Sequence, residues 1–397
     1  MTILLDPTAL RPPDAQERDL LAPILDLHNV AEEAVSDIYA RVVWCCLAEP
    51  GDGVAGALIA QYGARGALER VASSGPDDLP ELRAGRKRWA PRWQPRFAEE
   101  TLRAASFNKL KLLTPQSAHW PPGVDDLGPH APACLWVRGD PRQLTSVRPS
   151  VAIVGARAAT SYGEHVAGEL AGALVAAGVT VVSGAAYGID GAAHRSALSM
   201  GGATVALLAG GVDRAYPQGH TSLLQRIAET GAVVSEVPCG SAPTRWRFLM
   251  RNRLIAAMSS ATVVVEAGWR SGSLNTAGHA ASLARGLGAV PGPITSSTSS
   301  GCHRLLREYD ATCITSADDV LEMLGLGSAA VQASPEHRTD SRSRVLDALA
   351  ATPRSALGVA QRCGMGVTET EAQLGFLELE GAVANGPSGW RLIPKRR

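Results

Sequence analysis

Arg245, Arg247, Arg251 and Arg253 crowd into nine positions of this chain, and glycine- and hydroxyl-rich turns recur on both sides of them. Such cations, beside turns whose backbone can come close to a ligand, make an anion site, for phosphate above all. On a helix, Arg247 and Arg251 are four apart and share a face that could straddle successive phosphates. Asn252 lies between the last two arginines. Arg253 points elsewhere and is expected to pair internally, with Glu266 as the candidate partner. The turns are Gly155-Ala156-Arg157, Ser183-Gly184-Ala185-Ala186-Tyr187-Gly188, Gly210-Gly211 leading to Tyr216-Pro217, and Ser271-Gly272-Ser273 with Thr276 behind it. Arg157 stands two residues after Gly155 and precedes a helix start near Ser161, whose partial positive charge also favours an anion.

Other chemistries find little support. There is no G-x-x-x-x-G-K-[ST] run, and the turn after Val154 is not G-x-G-x-x-G, so neither a Walker-type ATP site nor a dinucleotide cofactor is expected. No Ser–His–Asp order, paired carboxylates or metal cluster stands out. Asp190 reads as the cap of the helix that reaches His194, and His194 as a hydrogen-bonded structural histidine. No cofactor, metal or catalytic residue is assigned.

The elements that must position these turns repeat as one unit: an apolar strand, a turn, then a helical stretch. Strands are expected at 151–154, 179–182, 203–208, 232–234, 262–265 and 288–290. The helix opening at Ser161 carries Tyr162, Val166, Leu170 and Leu174 at four-residue spacing and so buries one face. Alternation of this kind predicts an α/β fold, a Rossmann-like doubly wound parallel sheet, with ligands at the carboxyl ends of the strands.

The rest of the 397 residues divides into smaller pieces. Residues 1–82 are expected to form a helical domain, with helices around Ile38–Leu47 and Val54–Val71 joined through Glu49-Pro50-Gly51-Asp52-Gly53. Residues 83–105 read as a basic, aromatic connector. Through Lys111 its Arg83, Arg86, Lys87, Arg88, Arg92, Arg96, Arg103, Lys109 and Lys111 interleave with Trp89, Trp93 and Phe97, and Pro91 and Pro95 forbid one regular helix. Two readings stand side by side: a surface for stacked bases and their phosphates, or a connector whose aromatics pack on the sheet domain. The sheet domain spans 106–326 and a linker 327–341. The last piece, 342–397, holds helices at Arg344–Leu349, Leu357–Cys363 and Thr368–Leu379 and a hairpin from Ala382–Asn385 and Trp390–Ile393, as in a winged helix. Its third helix carries Glu369 and Glu371 and runs to Glu378 and Glu380, which opposes duplex binding and favours docking to protein.

Lys and Arg number 38 and Asp and Glu 38, so no global field draws this chain to nucleic acid or membrane, and anion binding has to be local. The seven cysteines lack Cys-x-x-Cys spacing, and Cys45-Cys46 and Cys302-His303 read as buried residues rather than a zinc site. With neither a basic, apolar leader nor a membrane-length apolar run, a cytoplasmic protein without a membrane partner is expected.

Taken in order, VAIVGAR (151–157), SGAAYGIDGAAH (183–194), GGVDRAYP (210–217), RNRLIAAMS (251–259), VVVEAGWRSGSLNTA (263–277) and AVPGPITSSTSSGCHRLL (289–306) resemble the DNA-processing protein A family (DprA/Smf). The likeness covers residues of about 110–325, LLTPQSAHWP and LWVRGD included. It implies a non-enzymatic protein that binds and protects single-stranded DNA, dimerises, and helps load a RecA-type recombinase in natural transformation and homologous recombination. Carried over, Arg157 and the Arg251/Arg253 segment would line the strand-binding groove, and Gly155, Ser183, Gly184 and Ser271–Ser273 would shape its phosphate pocket. Ala156 stands where many relatives have Ser, and Tyr187 where many have Lys; Tyr187 could stack on a base instead. The competing class is a Rossmann-like enzyme hydrolysing nucleoside monophosphates, with Glu266 as the acid. The chain lacks that group's P-G-G-x-G-T-x-x-E run.

Overall fold

The computed structural model describes residues 12–25, 32–73, 79–94, 96–145, 149–327, 341–349 and 353–393. The chain forms two compact units that divide between Gly327 and Ser328. Most of the expected linker, and Pro95, lie outside the described residues.

The first unit opens with five helices: α1 (Ala15–Leu21), α2 (Glu32–Leu47), α3 (Gly53–Ala72), α4 (Pro80–Trp89) and α5 (Phe97–Phe107). Then come β1 (Lys111–Leu113), β2 (Leu135–Gly139), β3 (Ser150–Val154), α6 (Ser161–Ala176), β4 (Thr180–Ser183), α7 (Ile189–Ser199), β5 (Thr204–Leu207), α8 (Thr221–Thr230) and β6 (Ala232–Ser235). The unit closes with α9 (Arg245–Ala257), β7 (Ala261–Val264), α10 (Ser273–Ser282), β8 (Gly286–Ala289), α11 (Ser300–Glu308), β9 (Thr312–Cys313) and α12 (Ala317–Met323).

These strands make one nine-stranded sheet, ordered β1-β2-β6-β5-β4-β3-β7-β8-β9. From β6 to β9 the pairing is parallel, while β1 and β2 join antiparallel at one edge. The inner strands are apolar on both faces, as a doubly covered parallel sheet requires. Ala152, Val154, Val182, Val205, Leu207 and Val264 pack in one core with α9 to α11. Val151, Ile153, Val181 and Val263 pack in another with α6, α7 and α12. Chain order reverses at β3: β4 to β6 extend to one side and β7 to β9 to the other, which opens a crevice at the carboxyl ends of β3 and β7.

The amino-terminal helices share a core with Trp136, Ala206, Leu208 and Val233 of the sheet, and the basic connector belongs to this packing. Trp89 is buried with its ring edge-on to Trp44 at 5.1 Å, and its indole N–H donates to Asp52, the N-cap of α3. The Arg86 guanidinium is buried and donates to the carbonyls of Arg70, Val71 and Ser73, satisfying the carboxyl end of α3. Arg88 pairs with Asp52 and Arg92 with Glu49. At these positions the connector holds helices together, and Trp89 and Trp93 pack against the amino-terminal core rather than facing a strand of bases.

The second unit holds α13 (Ser341–Ala348), α14 (Ala356–Cys363), α15 (Val367–Leu379) and the antiparallel pair β10 (Val383–Gly386) and β11 (Gly389–Leu392). Val345, Leu349, Val359, Leu374, Leu377 and Val383 form its core. Three helices and a two-stranded wing make a winged helix.

Candidate nucleic-acid interface

A cavity of about 740 Å³ opens at the carboxyl ends of β3 and β7, at the reversal of strand order. Its wall is made by the segments that open helices. Gly155 to Arg157 lead to α6, Ala186 and Asp190 sit at the start of α7, Thr244 and Arg245 begin α9, and Ser271, Gly272 and Ser273 begin α10. Parallel strands alternating with helices bring these amino termini, with their partial positive charge, to one edge.

Phe248 stands at the centre of the cationic wall. The Arg157 guanidinium lies 4.5 Å from its ring centroid and that of Arg251 5.9 Å. Tyr216 packs against the same ring at 5.6 Å and is 44% exposed, which leaves it accessible from the cavity. Arg157, Arg245 and Arg270 are exposed cavity-lining cations. Arg251 is buried beneath them, its Nη1 donating to the carbonyls of Gly184 and Leu207, each at 2.7 Å. Burial pulls its pKa down to about 10, against the opposing pull of Asp190, so it stays charged at neutral pH. The Asp190 carboxyl is shifted upward by the same desolvation, partly offset by Arg251. Gly184 is required where it stands, because a Cβ would lie 2.0 Å from the Arg251 guanidinium. Gly188, at φ 74°, allows the 183–188 turn to meet the carbonyl of Ala156, 2.3 Å from where its Cβ would be.

Of the residues singled out in the sequence, Gly155, Arg157, Arg251, Asn252, Ser271, Gly272, Ser273 and Thr276 line this cavity. Asn252 ties α9 to α10 by donating to the carbonyl of Gly272 and to the Asn275 side chain, each at 3.2 Å. The hydroxyls of Ser271 and Ser273 are hydrogen-bonded to each other at 2.7 Å. Behind the wall, Ser183 is buried and donates to the carbonyl of Ile153. Gly210 and Gly211 pack against the 238–243 segment. Tyr187 is half-exposed, edge-on to His220 at 4.8 Å.

Two arginines lie elsewhere. Arg247 turns back toward the amino-terminal helices and makes a two-pronged pair with Glu49, at 2.9 and 2.8 Å. It therefore does not share a phosphate-facing surface with Arg251. Arg253 is buried against Glu236, just past β6, and not against Glu266. Glu266 instead accepts from the Thr160 backbone N–H and hydroxyl at the start of α6 and from the Thr298 hydroxyl. Such a carboxylate anchors loops, and it is not among the cavity-lining residues. Asp190 does not cap α7 either: the N-cap is Gly188, and the carboxylate accepts from Ala186 N–H within the preceding turn. His194 is buried, hydrogen-bonded to the Thr204 hydroxyl at 2.9 Å.

Tyr216, named with the Gly210-Gly211 turn, and Arg245, named with the arginine run, also line the wall, and Phe248 and Arg270 complete it without having been singled out. For Phe248 the local pattern is misleading, since an aromatic amid apolar residues on a helix reads as core. Among the described residues no group of three or more metal-ligating side chains is present, and no helix is long and apolar enough to cross a membrane.

Comparison with known proteins agrees on a family. The profile described as DNA recombination-mediator protein A matches residues 111–325, and that of the DprA winged helix domain matches 329–389. A DprA relative from Mycobacterium tuberculosis is 44% identical over 301 residues, 71% of this chain and 77% of its own length. Protein Smf of Escherichia coli is 37% identical over 271 residues, 65% of this chain and 71% of its own. The X-ray structure of DNA processing protein A from Streptococcus pneumoniae matches with a TM-score of 0.59 at 28% identity, over 72% of this chain and 97% of that one.

Proposed function

Since this chain belongs to the DNA recombination-mediator protein A family, we propose that its strand-end cavity grips single-stranded DNA, protects it, and presents it to a RecA-type recombinase. The observation that carries this reading is the stack of Arg157, Phe248 and Arg251 inside a cavity walled by helix amino termini. Guanidinium groups and the positive ends of helices suit a phosphate chain, while Phe248 and the half-exposed Tyr216 offer rings to unpaired bases. A duplex keeps its bases stacked inside and cannot use those rings. The protein acts without catalysis, as a homodimer in the cytoplasm, in natural transformation and homologous recombination. Gly155, Arg157, Arg251, Asn252, Ser271–Ser273 and Thr276 make the contact surface, and Ser183, Gly184 and Gly188 shape it from behind.

The test is fluorescence anisotropy with labelled single-stranded and duplex oligonucleotides over a salt series. Native protein should prefer the single strand and show a salt slope of about −0.7 per phosphate contacted. Arg157→Ala is the informative variant, because Arg157 is exposed and its removal spares the core. It should weaken binding to every sequence alike and reduce the slope by about one contact. Equal binding of duplex and single strand, or an unchanged Arg157→Ala, would refute the assignment.

A further inference from the structure

Outside the cavity, a second aromatic and cationic group stands on the rim. Trp269, in the turn that leads into α10, is 57% exposed. The Arg304 guanidinium, from α11, lies 5.1 Å from the Trp269 ring centroid and 5.7 Å from that of Tyr309, which is 41% exposed. One cation thus touches two rings that both remain open to solvent. The flanking residues Gly268 and Arg270 line the cavity, so the group begins where the cavity wall ends.

Its mounting is rigid. Ala267 N–H donates to the carbonyl of Thr298, Ser271 N–H to that of Gly268, and Gly301 N–H to that of Ala267, at 2.8, 3.0 and 2.7 Å. At Gly301, α11 comes so close to this turn that a Cβ would lie 2.7 Å from the Ala267 carbonyl oxygen. The backbone beneath Trp269 is thus fixed, and two partly exposed rings share one cation at the end of the cavity wall, a grouping that stacked bases can cover. The surrounding charge favours an anion modestly. Within 268–272 and 304–310, Arg270, Arg304 and Arg307 face Glu308 and Asp310, and Glu308 pairs with Arg304 at 2.8 Å.

We propose that Trp269, Arg304 and Tyr309 form a second platform, on which bases of a single strand leaving the cavity past Arg270 stack. This rests on the single-strand reading of the cavity and extends its footprint along the rim. Stacking on such rings tolerates any base, and the Arg304 face adds a planar cation over which a base can also lie. Strands long enough to reach the platform gain affinity that short ones lack.

The full chain is tested with oligothymidylates of about four and about twelve nucleotides, as native protein and as Trp269→Ala, Tyr309→Ala and Arg157→Ala. Native protein should bind both lengths and the longer more tightly. The two ring variants should match native on the short strand and lose about tenfold on the long one. A long strand whose outer nucleotides are abasic should bind native protein as weakly as the intact strand binds Trp269→Ala. Arg157→Ala should weaken both lengths, which separates cavity from platform. Unchanged length dependence in the ring variants, or equal loss on both lengths, would overturn the platform with the cavity reading intact. Failure of native protein to bind either strand would remove the cavity reading and the platform with it.

Discussion

At the scale of single residues, His194 shows how burial turns a polar side chain into a pH liability. The Thr204 hydroxyl spends its proton on the carbonyl of Val181, so it can only accept from His194 Nδ1–H. The Nε2 atom is buried without a partner, and a protonated ring would bury an N–H with no acceptor. Desolvation, with His220, Arg251 and Arg195 adding repulsion, holds its pKa down to about 3. The unfolded chain therefore binds one more proton than the folded one between about pH 6.5 and that value. Stability from this group is complete above about pH 6.5 and is lost as pH falls toward 3, on the order of a few kcal/mol. Thermal midpoints of native protein and His194→Gln, measured from pH 7 to 4, should converge because the variant loses less on acidification. Parallel curves would show that other groups carry the acid sensitivity. His194 was legible as structural from its place within a helix, whereas the partner of Arg253 was not. Glu266 is nearer in sequence, but the partner is Glu236, brought alongside only by the sheet order that sets β6 away from β7.

At the scale of elements, the six inner strands fall within two residues of where their apolar runs place them, because strands covered on both faces leave a strong hydrophobic signal. The outlying strands β1, β2 and β9 give less: β1 and β9 are only two or three residues long, and β2, held between β1 and β6, joins antiparallel, outside the repeating unit. The turns at 155–157 and 271–273 were likewise readable as cavity wall, since they end strands of a parallel sheet, whereas the 183–188 turn contributes only Ala186 and Gly210-Gly211 lie behind. The basic connector was ambiguous for a physical reason. Composition counts charges, and only packing tells whether they face solvent or cap a neighbouring helix. Arg86 caps α3 from inside, so Arg86→Ala should cost about 2 kcal/mol or more by stranding buried carbonyls. Trp89→Ala should cost about 3–5 kcal/mol through the cavity it leaves against Trp44. Denaturant titration measures both losses. Anisotropy at a temperature where each variant is folded should return the native salt slope, while a reduced slope would restore the connector to the DNA contact surface.

At the scale of the whole molecule, 38 basic and 38 acidic residues cancel, so strand binding draws on local fields and not on the net charge. The cations that line the cavity, Arg157, Arg245, Arg251 and Arg270, all belong to the first unit. The second unit presents a helix with Glu369 and Glu371 near its start and Glu378 near its end, and its exposed large apolar residues include Phe376 at 61% and Leu379 at 87%. Carboxylates beside a phosphate chain repel it, whereas exposed apolar side chains rimmed by acids suit a protein partner. The two units should thus separate in function: gripping the strand by the first, engaging protein by the second. A chain ending at Gly327 should keep native affinity and salt slope for a short single strand and lose recombinase loading. That pairing is measured by anisotropy alongside a strand-exchange assay with a RecA-type protein. A fall in salt slope on truncation would place strand-binding cations in the winged helix, against its acidic third helix. Loading that survives truncation would move the recombinase contact onto the first unit.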